Sequence, residues 1–260
     1  MTHEQLTEGL RKLNLPAMAE GFMEASRAAE KGRLTYERYL AGLVEAETEH
    51  KTKVRIQRLQ AHAKIPLNKK IEAYDFSKRT GITDLEFKRL AAGDFVREGS
   101  NVVFYGSFSV GKTHLAIALI NELIKRNIRC LFTSTHSLIE QMLEAKKNLT
   151  LQHLFKRIEK NDLLVCDELG YIAPSQDGAD LFFQLISQRS ERKSILITTN
   201  LTYSEWDRVL VNPLNTSAAI ERIIHKCETF NIAGPSWRAE EAKKRTGLKT
   251  RLTDKQIETT

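Results

Sequence analysis

Cysteine is scarce in this sequence: three in 260 residues, Cys130, Cys166 and Cys227, far apart and set in apolar runs. An odd number of scattered thiols argues against a disulfide framework and for a reducing cytoplasm. There is no C-x-x-C and no H-E-x-x-H, so a protein-held zinc is not expected. G-x-S-x-G is also missing, which removes the nucleophile elbow of an α/β-hydrolase. No segment reaches the ~20 uninterrupted apolar residues of a membrane helix. The opening "MTHEQLTEGLRKLNLPAMAE" mixes charge into its apolar positions, unlike a secretory signal. A cytoplasmic location with no membrane partner is the expectation.

Acids are missing from one stretch in particular. Between Lys51 and Lys70, "KTKVRIQRLQAHAKIPLNKK" has none, and a second basic run, "KKRTGLKTRLTDK", comes near the end. The net charge of +7 matters less than this concentration. Such patches attract polyanions by Coulomb attraction and counterion release, although a solvated helix face would carry the same residues.

The first part of the chain is helical in pattern. Tyr36, Leu40, Leu43 and Val44 recur at helical spacing in a segment without proline until Pro66. From Ile65 to Ser100 a connector with one short helix is expected, started by the capping box "TDLE" at Thr83 to Glu86. From Asn101 the runs "NVVFYG", "IRCLFTS", "DLLVCDE", "SILITTN" and "CETFNIA" alternate with longer amphipathic stretches. That alternation predicts an α/β fold with a parallel sheet and right-handed crossovers. The domains expected are a helical one over 1–75, an α/β one over 76–245 and a basic tail over 246–260.

Between the first strand-like run and the next helix lies "GSFSVGKT", which satisfies G-x-x-x-x-G-K-[ST]. Gly106 and Gly111 let the backbone of Ser107, Phe108, Ser109 and Val110 curl so that its N–H groups face phosphates. Lys112 brings a positive charge to the β- and γ-phosphates, Thr113 a hydroxyl to Mg²⁺, and the helix N-terminus its dipole. His114, next in line, is expected to sit beside the nucleotide as a helix residue, not as a catalyst. Serine where many such loops have glycine means that Ser109 is expected at positive φ.

"LLVCDE" ends in Asp167 and Glu168. A metal–nucleotide site needs one carboxylate for the magnesium shell and one to polarise the attacking water, and alternation at a strand end would divide these tasks. Asn200, at the tip of "SILITTN", is placed to fix that water, or is simply a turn residue. Arg222 and Arg238 are candidate phosphate-contacting cations, although either, taken alone, reads more readily as a surface arginine.

Taken together, "GKTHLAIAL", "DELGYIAPSQDGADLFFQLISQRSERKSILITTN", "WDRVL", "AAIERIIH" and "GPSWR" resemble the AAA+ ATPases, and within them the IstB-like transposition helper ATPases, relatives of DnaC-type helicase loaders. The resemblance extends over nearly the whole chain. It implies an AAA+ P-loop core with a five-stranded parallel sheet behind a small all-helical domain. It also implies Walker A residues Lys112 and Thr113, a Walker B pair Asp167 and Glu168, a first sensor Asn200, an inter-subunit arginine finger Arg222 and a second sensor Arg238. Implied ligands are ATP and Mg²⁺. Implied partners are duplex DNA, a transposase and further copies of the chain in a ring or helix, in a bacterial cytoplasm. The related initiators line a DNA channel with the region after the second strand, which here offers Lys146, Lys147, Lys156 and Arg157. Lys51, Lys53, Arg55 and Arg58 on the long helix are a second candidate surface, for DNA or for a neighbouring subunit. A helicase loader, a small-molecule kinase and a nucleotide-gated adaptor with little hydrolysis are the competing functions.

Overall fold

The structure, a computed structural model, describes residues 1–66, 69–206 and 213–237, except for the side chains of 213–216 and 219. It divides into two compact units, Met1–Arg58 and the chain from Leu59 onward.

The first unit begins with α1 (His3–Lys12), opened by a Thr2–Gln5 capping box, and α2 (Pro16–Gly32), with proline in its first turn. The α2 N-cap, Leu15, has no side-chain acceptor. That deficit is met from a distance by the long helix α3 (Tyr36–Ala63): Glu47, 3% exposed, accepts the Met18 N–H at 3.0 Å. A carboxylate there satisfies an orphan donor and complements the positive end of α2. Helix α3 forms as the spacing predicts, yet of its four marker residues only Leu43 is buried. Tyr36, Leu40 and Val44 are exposed. Farther along α3, Lys51, Lys53, Arg55 and Arg58 are exposed, with Lys53 paired to Glu49 at 2.8 Å and Lys51 3.8 Å from Glu47.

In the second unit, two 3-10 turns (Ile71–Ala73, Phe76–Lys78) lead to α4 (Asp84–Ala92), started by the Thr83–Glu86 capping box, and to α5 (Asp94–Arg97). The single connector helix expected is thus two. Gly93 at φ 85° ends α4 and begins α5, which is too short to show any periodicity. Five strands follow where the apolar runs predict them: β1 (Asn101–Tyr105), β2 (Cys130–Ser134), β3 (Leu163–Leu169), β4 (Ser194–Thr199) and β5 (Cys227–Asn231). They form one parallel sheet in the order β2-β3-β4-β1-β5.

The crossovers are α6 (Lys112–Lys125), α7 (Thr135–Lys147) with α8 (Leu151–Glu159), α9 (Gln176–Arg189) and α10 (Pro213–Ile224). Val103, Leu164, Cys166, Ile195 and Ile197 share one core with α7, α8, α9 and Ile223 of α10. Their strand neighbours, such as Val102, Phe104 and Leu196, are equally buried. A parallel sheet covered on both faces requires such unbroken apolar runs.

Two buried polar residues hold the strand ends. Asn101 donates to Ile223 O at 3.0 Å and accepts the Ile195 N–H at 2.9 Å. Arg189, 0% exposed, donates to the carbonyls of Ile158, Asn161 and Ser194 at 3.0–3.2 Å. At the β5 margin Thr80 and Ala233 form an antiparallel bridge, and Gly81 approaches so closely that an added Cβ would lie 1.7 Å from Asn231 O. No helix among the described residues is long and apolar enough to cross a membrane.

Candidate nucleotide-binding site

The phosphate loop joins the tip of β1 to α6. Gly106 has φ 145°, and a Cβ there would lie 2.0 Å from Ile232 O; Gly111 has φ 108°, with the Tyr74 ring 2.8 Å from any added Cβ. Both glycines are therefore required by conformation and by crowding. Ser109 takes φ 61°, as its place in the loop predicts, at a cost of roughly 1–2 kcal/mol for a non-glycine residue.

Helix α6 has Gly111 as its N-cap, without a side-chain acceptor. Its first N–H groups are open to an anion, as a phosphate site requires. The Lys112 ammonium donates to Gly106 O at 2.7 Å and Ser107 O at 2.6 Å. Burial lowers its pKa, and the nearby charges of Asp167 and Glu168 oppose that shift.

Asp167 is buried at the end of β3. Its Oδ1 accepts the hydroxyls of Thr113, at 2.9 Å, and Thr198, and its backbone oxygen accepts Thr135 Oγ1 at 3.0 Å. Desolvation raises its pKa; the two hydroxyls and Lys112 pull the other way, and Glu168 adds to the rise. Simple alternation would send Glu168 to the opposite face. Instead β3 has an irregularity between Cys166 and Leu169, with Glu168 at φ 59° and its N–H held by Thr198 Oγ1 at 2.9 Å. Both carboxylates consequently act on Lys112. A positive φ on a non-glycine residue is strained backbone of the kind that gathers at functional sites.

A cavity of about 310 Å³ opens here, near the lower end of the roughly 300–1,000 Å³ of small-molecule sites. Phe108, Ser109, Gly111, Lys112, Thr113, His114 and Ile117 line it from the loop and α6, Glu168, Tyr171 and Asn200 from the strand tips, and Pro66, Lys69 and Trp237 from elsewhere. His114 is a wall residue. Its Nε2–H donates to Lys70 O at 2.8 Å, it packs against Tyr74 and Trp237, and burial lowers its pKa.

The hard oxygen donors Thr113 and Asp167 fit Mg²⁺, whose charge would offset the cost of ionising a buried carboxylate. Among the described residues no cluster of His, Cys, Asp and Glu could enclose a metal without help.

Other expected residues lie apart from the cavity. Arg222 is exposed on α10, bonded to Ala218 O at 3.2 Å with its guanidinium 5.4 Å from the Phe183 ring. Arg238 lies outside the described residues, directly after Trp237. Lys146, Lys147, Lys156 and Arg157 are exposed in the last turns of α7 and α8, where cations suit the helix dipole. Lys146 is paired with Asp177 at 3.1 Å.

Sequence reasoning missed Thr198, Tyr74, Arg79 and Trp237. The first threonine of "ITTN" and the tryptophan beside Arg238 were visible signals; nothing in "DFSKRTG" marks Arg79.

A family model described as IstB-like ATP binding protein matches residues 8–245. A putative insertion-sequence ATP-binding protein of Sinorhizobium fredii is 33% identical over 242 residues, covering 92% of this chain and 81% of that protein. One of Geobacillus stearothermophilus is 30% identical over 238 residues, covering 92% and 95%. Among solved structures, the DnaC helicase loader matches with a TM-score of 0.53 and 25% identity, over 66% of this chain and all of the other.

Proposed function

Since the chain belongs to the IstB-like ATP-binding protein family and carries an AAA+ P-loop NTPase core, we propose that it is an ATP-hydrolysing, DNA-binding helper of transposition. The observation that carries the reading is the Thr113–Asp167 hydrogen bond, which joins the phosphate-loop helix to the acid of β3 beside Lys112. Hydroxyl, carboxylate and ammonium are assembled where a triphosphate entering the loop would meet them.

In this reading Lys112 exchanges its two loop carbonyls for the β- and γ-phosphates. Thr113 and Asp167 would hold Mg²⁺, which when bound would supply positive charge to offset that developing on the phosphate oxygens. Glu168 polarises the attacking water and Asn200 orients it. Arg222 enters a neighbouring copy's site, and Arg238 contacts the nucleotide of its own. ATP at the interfaces favours an oligomer, ring or helix, that binds and deforms duplex DNA and presents it to a transposase. Hydrolysis then releases the assembly by linkage. The basic ends of α7 and α8, with the basic part of α3, supply phosphate contacts that confer affinity without reading sequence. The functional division is a helical domain over 1–75, the ATPase over 76–245 and a basic tail over 246–260, in a bacterial cytoplasm.

The test is DNA binding with and without ATP across a salt series, together with phosphate release in the presence of DNA and transposase. Cooperative, ATP-dependent and salt-sensitive binding is expected. Equal DNA affinity with and without nucleotide would refute the mechanism. The likeness to the DnaC helicase loader favours a second reading, the same ATPase with a replicative helicase as client. Capture of helicase rather than transposase, with a preference for single-stranded DNA, would select it.

A further inference from the structure

Arg79 is 3% exposed, in the segment that runs beneath the phosphate loop. Burying a guanidinium costs several kcal/mol unless its charge and donors are met. Here the loop takes one of those donors, and two aromatic rings face the charge. Nε–H donates to Val110 O at 3.0 Å, and the guanidinium lies 4.7 Å from the Trp237 ring centre and 5.5 Å from that of Tyr74. Its backbone is fixed separately. Thr80 N donates to Ala233 O at 2.9 Å and Ala233 N to Thr80 O at 3.2 Å, while a Cβ on Gly234 would lie 3.0 Å from Arg79 Cγ. The preceding loop carbonyl is also held, since Ser109 O accepts the Trp237 N–H at 2.8 Å. Two consecutive carbonyls are thus restrained where Ser109 takes its positive φ.

A trans peptide is planar, with its C=O and the following N–H pointing in opposite directions. Holding Ser109 O therefore aims the Val110 N–H the other way, and holding Val110 O does the same for Gly111 N–H. If either peptide turned over, a carbonyl oxygen would take the place of a donor, and attraction for an anion would become repulsion.

We infer that Arg79 is a positioning residue for the phosphate chain of the nucleotide. It fixes the Val110–Gly111 peptide so that the Gly111 N–H faces phosphate, while the Trp237 backbone does the same for Val110 N–H. This rests on the reading that the cavity takes ATP. Arg79 acts through the loop, so its removal should weaken ligands that carry phosphate and spare the nucleoside.

The experiment compares ADP and adenosine binding to the full-length chain, wild type against Arg79→Met and Arg79→Gln, with melting curves taken without ligand to confirm folding. Losing a hydrogen bond from a charged donor predicts that Arg79→Met weakens ADP by about tenfold or more and adenosine by less than about twofold. Arg79→Gln keeps a side-chain N–H donor and should recover most of the loss. Should the methionine variant fail to fold, the ratio of ADP to adenosine affinity in the glutamine variant decides. Equal losses for both ligands, undiminished ADP binding by a folded variant, or glutamine no better than methionine would each overturn the assignment. If Arg79→Met behaves as expected but Lys112→Ala leaves ADP affinity intact, the reading of the loop fails instead. A wild-type chain that binds no ADP would remove both.

Discussion

Thr113 donates its hydroxyl to Asp167 Oδ1 at 2.9 Å, and Thr198 donates to the same oxygen. One carboxylate oxygen thus ties the first turn of α6 to the tips of β3 and β4. Thr113→Val keeps the shape and removes the donor. Phosphate release should fall by about 10²-fold or more, the scale of losing one group that contacts transition-state charge. Magnesium-free ADP binding should be nearly unchanged. Similar losses in both measurements would mean that the hydroxyl serves the loop's structure instead of the metal.

The burial that raises the pKa of Asp167 has a linked effect on stability. The folded state takes up this proton at a higher pH than the unfolded state does. Its stabilising contribution is therefore complete below the ordinary aspartate range, near 3.8, and is lost as pH rises through the folded value. At neutral pH the ionised group is a burden, so Asp167→Asn should melt a few degrees higher, at about 2–4 °C per kcal/mol recovered, while losing hydrolysis. The gap between the two melting curves should close as pH falls toward the unfolded value. A gap that widened on acidification would refute this account.

Arg189 has the opposite standing, since its charge is buried and its donors fill the carbonyls of Ile158, Asn161 and Ser194. Arg189→Met should cost about 3–5 kcal/mol, because several buried acceptors lose partners together. Urea unfolding of the two proteins measures it, and a loss below about 1 kcal/mol would mean that other donors step in.

Of the two tryptophans, Trp237 lines the nucleotide cavity and Trp206 lines a separate one. ATP should change the intrinsic fluorescence of the wild type and of Trp206→Phe, but not of Trp237→Phe. A response that disappeared with Trp206 instead would place the nucleotide-linked change elsewhere.

The parts of this fold that depend on local pattern were legible in the sequence. The central strands β1, β3 and β4 announced themselves as apolar runs because both faces are covered, the half-open edge strands β2 and β5 carry weaker runs, and the phosphate loop was visible because its spacing is dictated by phosphate geometry. What depends on distant partners was not. Glu47 reads as one more acid on a charged helix until α2 brings Met18 to it. Arg79 gives no signal, since its neighbours Val110 and Trp237 are remote in sequence. The departure from alternation at Glu168 is held by Thr198 on another strand, and strand periodicity alone predicts the reverse. Spacing found the turn of helix that carries Tyr36, Leu40 and Val44 but could not tell that this side stays exposed.

The Thr80–Ala233 bridge and the close fit of Gly81 on Asn231 bear on how the protein can be shortened. A fragment started at β1 would strip β5 of its cover and leave a bare margin of backbone donors and acceptors, an invitation to stick to other chains. A trimmed version that remains monodisperse should start upstream of Tyr74, and one that starts at Asn101 should precipitate on expression.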